Sequence, residues 1–294
     1  MTKRCLLSCL FLVPIAVATQ AHGAEIFSFA NVYPGDFSPD GIAIDGGSGV
    51  AMSSVSLVSN FGSSTFSGDA SASTSYLEFS GRASASLTNF APRSYYSPCS
   101  FDPTVACGHF AAIAEAGFTD TLTITGGTGG AFLGLGFDIT GTTSLSSTLS
   151  PPNAEAIATI IGTAGQSFDP AVFFQTFVGD DSFIGTIPFV FGVPLTFSVF
   201  MEFYADAWDI DAATSYDFTG LADFSTTARL TSFRVYSDEE LQNEVTGIVA
   251  IAESGTDYRS VNSAPEPSTT LLLLGALALL RRSRASVCRY KAQS

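Results

Sequence analysis

Five carboxylates crowd one short stretch of the 294-residue chain: Glu202, Asp206, Asp209, Asp211 and Asp217, with Tyr204 and Trp208 among them. Side chains alternate in direction along a strand, so a strand here would present Glu202, Tyr204, Asp206 and Trp208 on one face. Carboxylates beside aromatic rings suit sugars, whose rings stack on the aromatics and whose hydroxyls donate to the acids. A pair of carboxylates is also the working part of most glycosidases. Alternatively, Asp206, Asp209 and Asp211 offer oxygens to Ca2+, although their spacing matches no EF-hand loop. The reading that asks for no ligand is a solvated strand edge and loop. A second acidic loop, Asp36, Asp40 and Asp45, broken by Gly41, Gly46 and Gly47, is either another weak Ca2+ candidate or an ordinary turn-rich connection.

Other chemistry is scarce. His109 is the one histidine between residues 25 and 260, and that stretch contains no lysine. A Ser-His-Asp mechanism would therefore depend on His109 alone, and its place after a cysteine loop suggests a surface turn. No G-x-S-x-G, H-E-x-x-H or phosphate-loop pattern occurs, so the chain is expected not to be an enzyme. Cys99 and Cys107 are the cysteines of the middle region, and seven residues separate them. In an oxidising compartment they would close a small disulfide loop, worth about 2–3 kcal/mol in the chain-entropy account. A metal site built from Cys99, Cys107 and His109 lacks a fourth ligand.

Charge narrows the partners. All 27 acids lie between Glu25 and Glu266, where the cations are Arg82, Arg93, Arg229, Arg234 and Arg259. Five arginines against 27 acids leave the middle at −22, compared with −15 for the whole chain. Such a polyanion repels nucleic acid and anionic lipid surfaces. It suits cations, neutral sugars, a basic partner, or simply solubility outside a cell.

The elements that must position these residues read as strands. The chain is 46% hydrophobic and 13% charged, with 26 Phe and 27 Gly, which supports a buried core and favours strands with tight turns. Alternating or aromatic segments occur at 55–58, 71–79, 82–90, 118–125, 131–140, 183–191, 194–204, 222–236 and 245–254. Ser80-Gly81 reads as a hairpin turn, and the glycine-rich 126–130 as another. Residues 154–161 suggest one short helix ending near Gly162. Many short strands with turn residues between them predict an all-β domain over 25–260, a β-sandwich or jelly roll.

The two ends are built differently. Residues 1–24 run from Lys3 and Arg4 through an apolar stretch to the small residues Ala21, Gly23 and Ala24, the layout of a cleavable signal peptide. Residues 261–294 contain Pro265-Glu266-Pro267, an uncharged apolar run to Leu280, and then Arg281, Arg282 and Arg284. As a helix the run 268–280 covers roughly 20 Å, short of the ~30 Å hydrocarbon core. Flanking arginines that snorkel and thin the bilayer would make up the difference, and the basic cluster would stay cytoplasmic. A permanent anchor is the alternative. A GPI-type signal fits poorly, because the motif nearly abuts the apolar run.

Pro265-Glu266-Pro267, the short apolar helix and the arginines together resemble the PEP-CTERM sorting tail of exported proteins in Gram-negative, exopolysaccharide-producing bacteria. The segments around Ala222-Asp223-Phe224 and Ser254-Gly255-Thr256-Asp257-Tyr258 are similar to the last strands that precede such tails. The resemblance implies export through the Sec translocon, cleavage by signal peptidase and a transient stay in the inner membrane. It further implies recognition by exosortase and delivery to the cell surface or extracellular matrix. The expected role is structural or adhesive, within an exopolysaccharide matrix. A lectin-like module that binds a surface glycan, with or without Ca2+, and a polysaccharide-active enzyme are the rivals.

Overall fold

The structure is a computed structural model that describes residues 24–35, 41–47, 49–61, 64–90, 109–148, 154–165, 171–208 and 216–262. Thirteen strands and one closing 3-10 turn, Tyr258–Asn262, account for its elements. One antiparallel sheet (sheet A) runs in the order β2 (Gly41–Gly47), β1 (Glu25–Gly35), β6 (His109–Thr125), β11 (Leu195–Trp208), β8 (Ala154–Thr163), β9 (Ala171–Phe177). The short β13 (Val249–Ala252) pairs with the far end of β6. The other (sheet B) runs β10 (Asp181–Val190), β7 (Gly130–Ser147), β12 (Tyr216–Tyr236), β5 (Glu78–Phe90), β4 (Ser64–Thr74), β3 (Ala51–Phe61). Their inner faces share one hydrophobic core, so the all-β sandwich expectation holds.

Phenylalanine joins the two layers. Phe79 of β5 stacks on Phe118 of β6 at 5.7 Å between ring centroids, and Phe66 of β4 meets Phe110 of β6 at 5.3 Å. Phe203 of β11 meets Phe224 of β12 at 5.9 Å. Each such pair adds about 0.5–1.5 kcal/mol beyond its buried area. Alanines alternate with these rings on the inner faces, as at Ala112, Ala114 and Ala116 of β6, and let the sheets interdigitate.

Several elements depart from expectation. Residues 154–161 form strand β8 between β11 and β9, where the inner residues are buried and, of the outer ones, Glu155 and Ile157 only partly so. Alanine and glutamate favour helix in isolation, but sheet pairing and Ile157, Ile160 and Ile161 decide the outcome. The hairpin between β4 and β5 turns at 75–77, with the Ser75 amide donating to the Glu78 carbonyl at 2.8 Å. Gly81 lies inside β5, opposite Ala72. The 126–130 turn is as expected, with Gly126 and Gly129 at φ +97° and +79°. His109 opens β6 rather than occupying a surface turn. Strands β1, β2 and β9 were not foreseen.

Gly81 is a glycine for packing, because a Cβ there would come within 2.1 Å of the Phe203 ring. That ring is fully buried and held against Phe224. Gly81→Ala is therefore expected to cost about 1–3 kcal/mol and lower the thermal midpoint by roughly 3–10 °C. Circular dichroism melting checks this, and an unchanged midpoint would show that the sheets part freely at this point.

Candidate functional site

A sandwich ordinarily buries one face of each sheet and wets the other. Sheet B obeys: outside, it presents Ser56, Asp69, Ser71, Arg82 and Ser84 to solvent or leaves them half-buried. Two shallow depressions on it measure 270 and 310 Å3, and each contains one carboxylate, Asp69 or Asp138. Sheet A differs. Its outward series Phe29, Asn31 and Tyr33 of β1, Phe200, Glu202 and Asp206 of β11 and Ile161 of β8 is buried, yet Phe29, Tyr33, Phe200 and Ile161 lie outside the main core cluster.

Register arranges this outer face in rows. Phe29 lies opposite Glu115 of β6, Glu115 opposite Glu202, and Glu202 opposite Thr159 of β8. The next row is Asn31, Ile113, Tyr204 and Ile157, and the third is Tyr33, Ala111, Asp206 and Glu155. Directly opposed residues hold their Cβ atoms about 4.5–5.5 Å apart. Glu115 faces Glu202, and Asp206 faces Glu155, as two pairs of like charges. Among the described residues, Arg82, Arg229 and Arg234 belong to sheet B and pair with Asp223, Glu78 and Glu244. Arg259 donates to the carbonyl of Ile248. No described arginine lies on the outer face of sheet A.

Beside no described arginine, these acids hold their protons more tightly. Burial pushes the Glu202 carboxyl up, against a smaller lowering from its hydrogen bond with Tyr204. Burial first, and then the Glu202 charge, push Glu115 up. Burial and then Asp206 raise Glu155 to about 7. The Tyr204 phenol is pushed well above its ordinary value by burial and then by Glu202. Like carboxyls in one site behave this way, with one proton held between two groups.

Of the residues singled out from the sequence, Glu202, Tyr204 and Asp206 do share a face. They sit on a central strand, not on a solvated edge: Glu202 is 6% exposed and Asp206 8%. Asp209 and Asp211 lie outside the described residues, as do Asp36, Asp40, the Cys99–Cys107 pair, the signal segment and Pro265, Glu266, Pro267, Arg281, Arg282 and Arg284. Asp45 belongs to β2, and its carboxylate accepts the amides of Gly46 and Met52 at 2.9 and 2.8 Å, closing the corner toward β3. Among the described residues no three His, Cys, Asp or Glu gather for a metal ion. Sequence reasoning missed Glu115, Glu155, Asn31 and Tyr33. The available signal was an acid inside the apolar run Ala111–Phe118, where a glutamate is out of place.

The fold and its site define an antiparallel β-sandwich with an acid- and aromatic-bearing outer sheet face. No protein-family model matches the chain, and no curated protein matches it either.

Proposed function

We propose that this is an exported β-sandwich protein, sorted by exosortase to the surface or exopolysaccharide matrix of a Gram-negative bacterium, with a structural or adhesive role there. The order of segments carries the reading: a basic-then-apolar start, the acidic strand-rich middle, Pro265-Glu266-Pro267, an uncharged run, and Arg281, Arg282 and Arg284. The compact two-sheet fold of the middle supports it, because such a domain can stand alone outside the cell. Asn262 adds support. Its amide side chain clamps Phe233, accepting the backbone N–H at 2.8 Å and donating to the carbonyl, three residues before Pro265. Pro265 and Pro267 lack backbone N–H groups and disfavour helix in the residues before them, which suits an extended segment that a processing enzyme can hold.

Replacing Pro265, Glu266 and Pro267 together with alanine is expected to leave an uncleaved precursor in the inner membrane, while the wild-type chain is shortened and exported. Fractionation and intact-mass measurement check both. A wild-type chain recovered in the cytosol with both ends intact would overturn the reading.

A lectin-like role is the second reading, and the aromatic and acidic rows on sheet A favour it. The paired carboxyls also keep a polysaccharide-active enzyme in view. Unchanged polysaccharide after long incubation with the protein would end that case.

A further inference from the structure

We propose that β9, the end strand of sheet A, pairs edge to edge with β9 of a second copy of this chain, antiparallel about Phe174, so that sheet A runs on from one molecule into the other. This interaction surface is separate from the acidic rows and from the sorting tail. An end strand leaves alternate backbone N–H and C=O groups without a ladder partner, and natural sheets blunt such edges with charge, proline or a covering contact. The other edges are blunted. In β3 the Met52 amide donates to the Asp45 carboxylate at 2.8 Å, and that charge belongs to β2. β10 begins at Asp181 and contains Pro188, which has no N–H to give to an added strand. β9 has none of these devices: its seven residues, Ala171–Phe177, include no charge, proline or glycine. It pairs with β8 on one side, and no described strand lies beyond it. The Thr176 carbonyl accepts from the neighbouring Gln175 side chain at 3.3 Å, an exposed bond that an added strand can replace.

Charge selects a second copy as the occupant. Copies of a chain at −15 repel one another, so they meet best where charge is missing. From Ala171 to Met201 the charged residues are Asp180 and Asp181, both at the turn that follows β9. Antiparallel pairing about Phe174 sets these turns at opposite ends of the joint, roughly 40 Å apart and well outside the ~10 Å screening length at 0.1 M salt. A basic partner finds no acid on β9 itself. Shape agrees with charge. Phe174 is 56% exposed and meets its own counterpart at the two-fold, with Val172 opposite Thr176 on either side. The strand is held firmly from within, because the Phe173 ring leaves no room for a Cβ at Gly162 or Gly185 and meets Phe183 at 5.5 Å. A strand ordered before it binds loses little freedom on pairing. Seven residues span about 23 Å and sheets pack about 10 Å apart. With flanking side chains, this side of the sandwich offers on the order of 500 Å2 per copy. The total of about 1,000 Å2 is the lower limit for a specific interface and fits a weak, reversible dimer.

The test is sedimentation velocity of the full chain in a density-matched nonionic detergent, over a concentration series and at low and high NaCl. Half-dimerisation is expected at roughly 10–500 μM, and several-fold tighter at high salt, because screening relieves the repulsion between copies. Phe174→Glu sets two carboxylates against each other at the two-fold and is expected to weaken the dimer at least tenfold. Its thermal midpoint should stay close to that of the wild type, since Phe174 lies outside the core cluster. Phe174→Cys is expected to give, on mild oxidation, a dimer linked through position 174 of each copy, because directly opposed Cβ atoms lie about 4.5–5.5 Å apart. Peptide mass mapping identifies that link. A chain that stays monomeric throughout, a dimer that Phe174→Glu leaves intact or that salt dissolves, or oxidised dimers with no link through position 174 would overturn the proposal. Each of these results leaves export and sorting to be judged by tail processing alone.

Discussion

Glu202→Gln is expected to raise the thermal midpoint at pH 8 by roughly 5–10 °C and to change it little at pH 5. Folded Glu202 holds its proton to higher pH than in the unfolded chain, mainly through burial. The folded state therefore binds more protons than the unfolded state over the interval between the two values. A raised carboxyl pKa leaves stability intact below the unfolded value, about 4.3, and removes it as pH rises through the folded one. Each unit of displacement is about 1.4 kcal/mol, and two opposed buried acids are expected to cost on the order of 2–4 kcal/mol by pH 8. Over a domain of this size, that is about 2–4 °C per kcal/mol. Glutamine keeps the shape and the acceptor for Tyr204 while removing the charge.

Glu115 is raised by burial and by the Glu202 charge, so the two acids share one deficit. Glu115→Gln alone is expected to give a similar gain, and the double variant less than the sum. Other titratable groups on this face are Tyr33, Tyr204, Asp206 and Glu155, with Glu155 raised to about 7. Some pH dependence should therefore survive the substitution. Thermal melts of the three variants between pH 5 and 9 decide the matter. Parallel profiles for wild type and Glu202→Gln would mean that solvent or a counter-ion reaches the pair.

The sequence made the strand character of this chain plain, because aromatic and β-branched residues recur between glycine-rich turns. What it concealed was register. That Glu202 meets Glu115 depends on the antiparallel alignment of β6 and β11, two strands far apart in the chain, and no local pattern encodes that. Glu155 was hidden for another reason: Ala154–Thr163 is rich in residues that favour a helix alone, and partners on both sides override that preference. Gly81 was read as a turn because glycine usually marks one, whereas here it makes room for the Phe203 ring. Even the acidity of residues 202–206 misled, since acids normally mark wet edges. A polar residue that breaks local expectation inside an apolar strand was the better guide to the candidate site.

Asp120→Ala is expected to cost about 4 kcal/mol and lower the midpoint by 10 °C or more, because one buried carboxylate ties the end of the domain to its core. Asp120 lies on the inner side of β6 and is fully buried. It accepts the backbone amide of Ser254 at 3.1 Å, the Ser254 hydroxyl, and the Tyr258 hydroxyl at 2.9 Å. Hydrogen bonds to a charged group contribute about 1.5–3 kcal/mol each, and they do not add fully. Tyr258 stacks on Phe233 of sheet B at 5.7 Å and meets Phe118 and Phe197 of sheet A at 6.1 and 6.0 Å. Its ring thus bridges both layers, and burial followed by the Asp120 charge pushes its phenol far up. Asp120→Asn, which keeps an acceptor, should lose less than alanine, and Tyr258→Phe, which keeps the ring, about 1–2 kcal/mol. Hydrogen exchange should then quicken first in residues 249–262 of Asp120→Ala, since β13 and the closing turn lose their common anchor. A variant that melts with the wild type, with those amides still protected, would show that ring packing alone holds the segment.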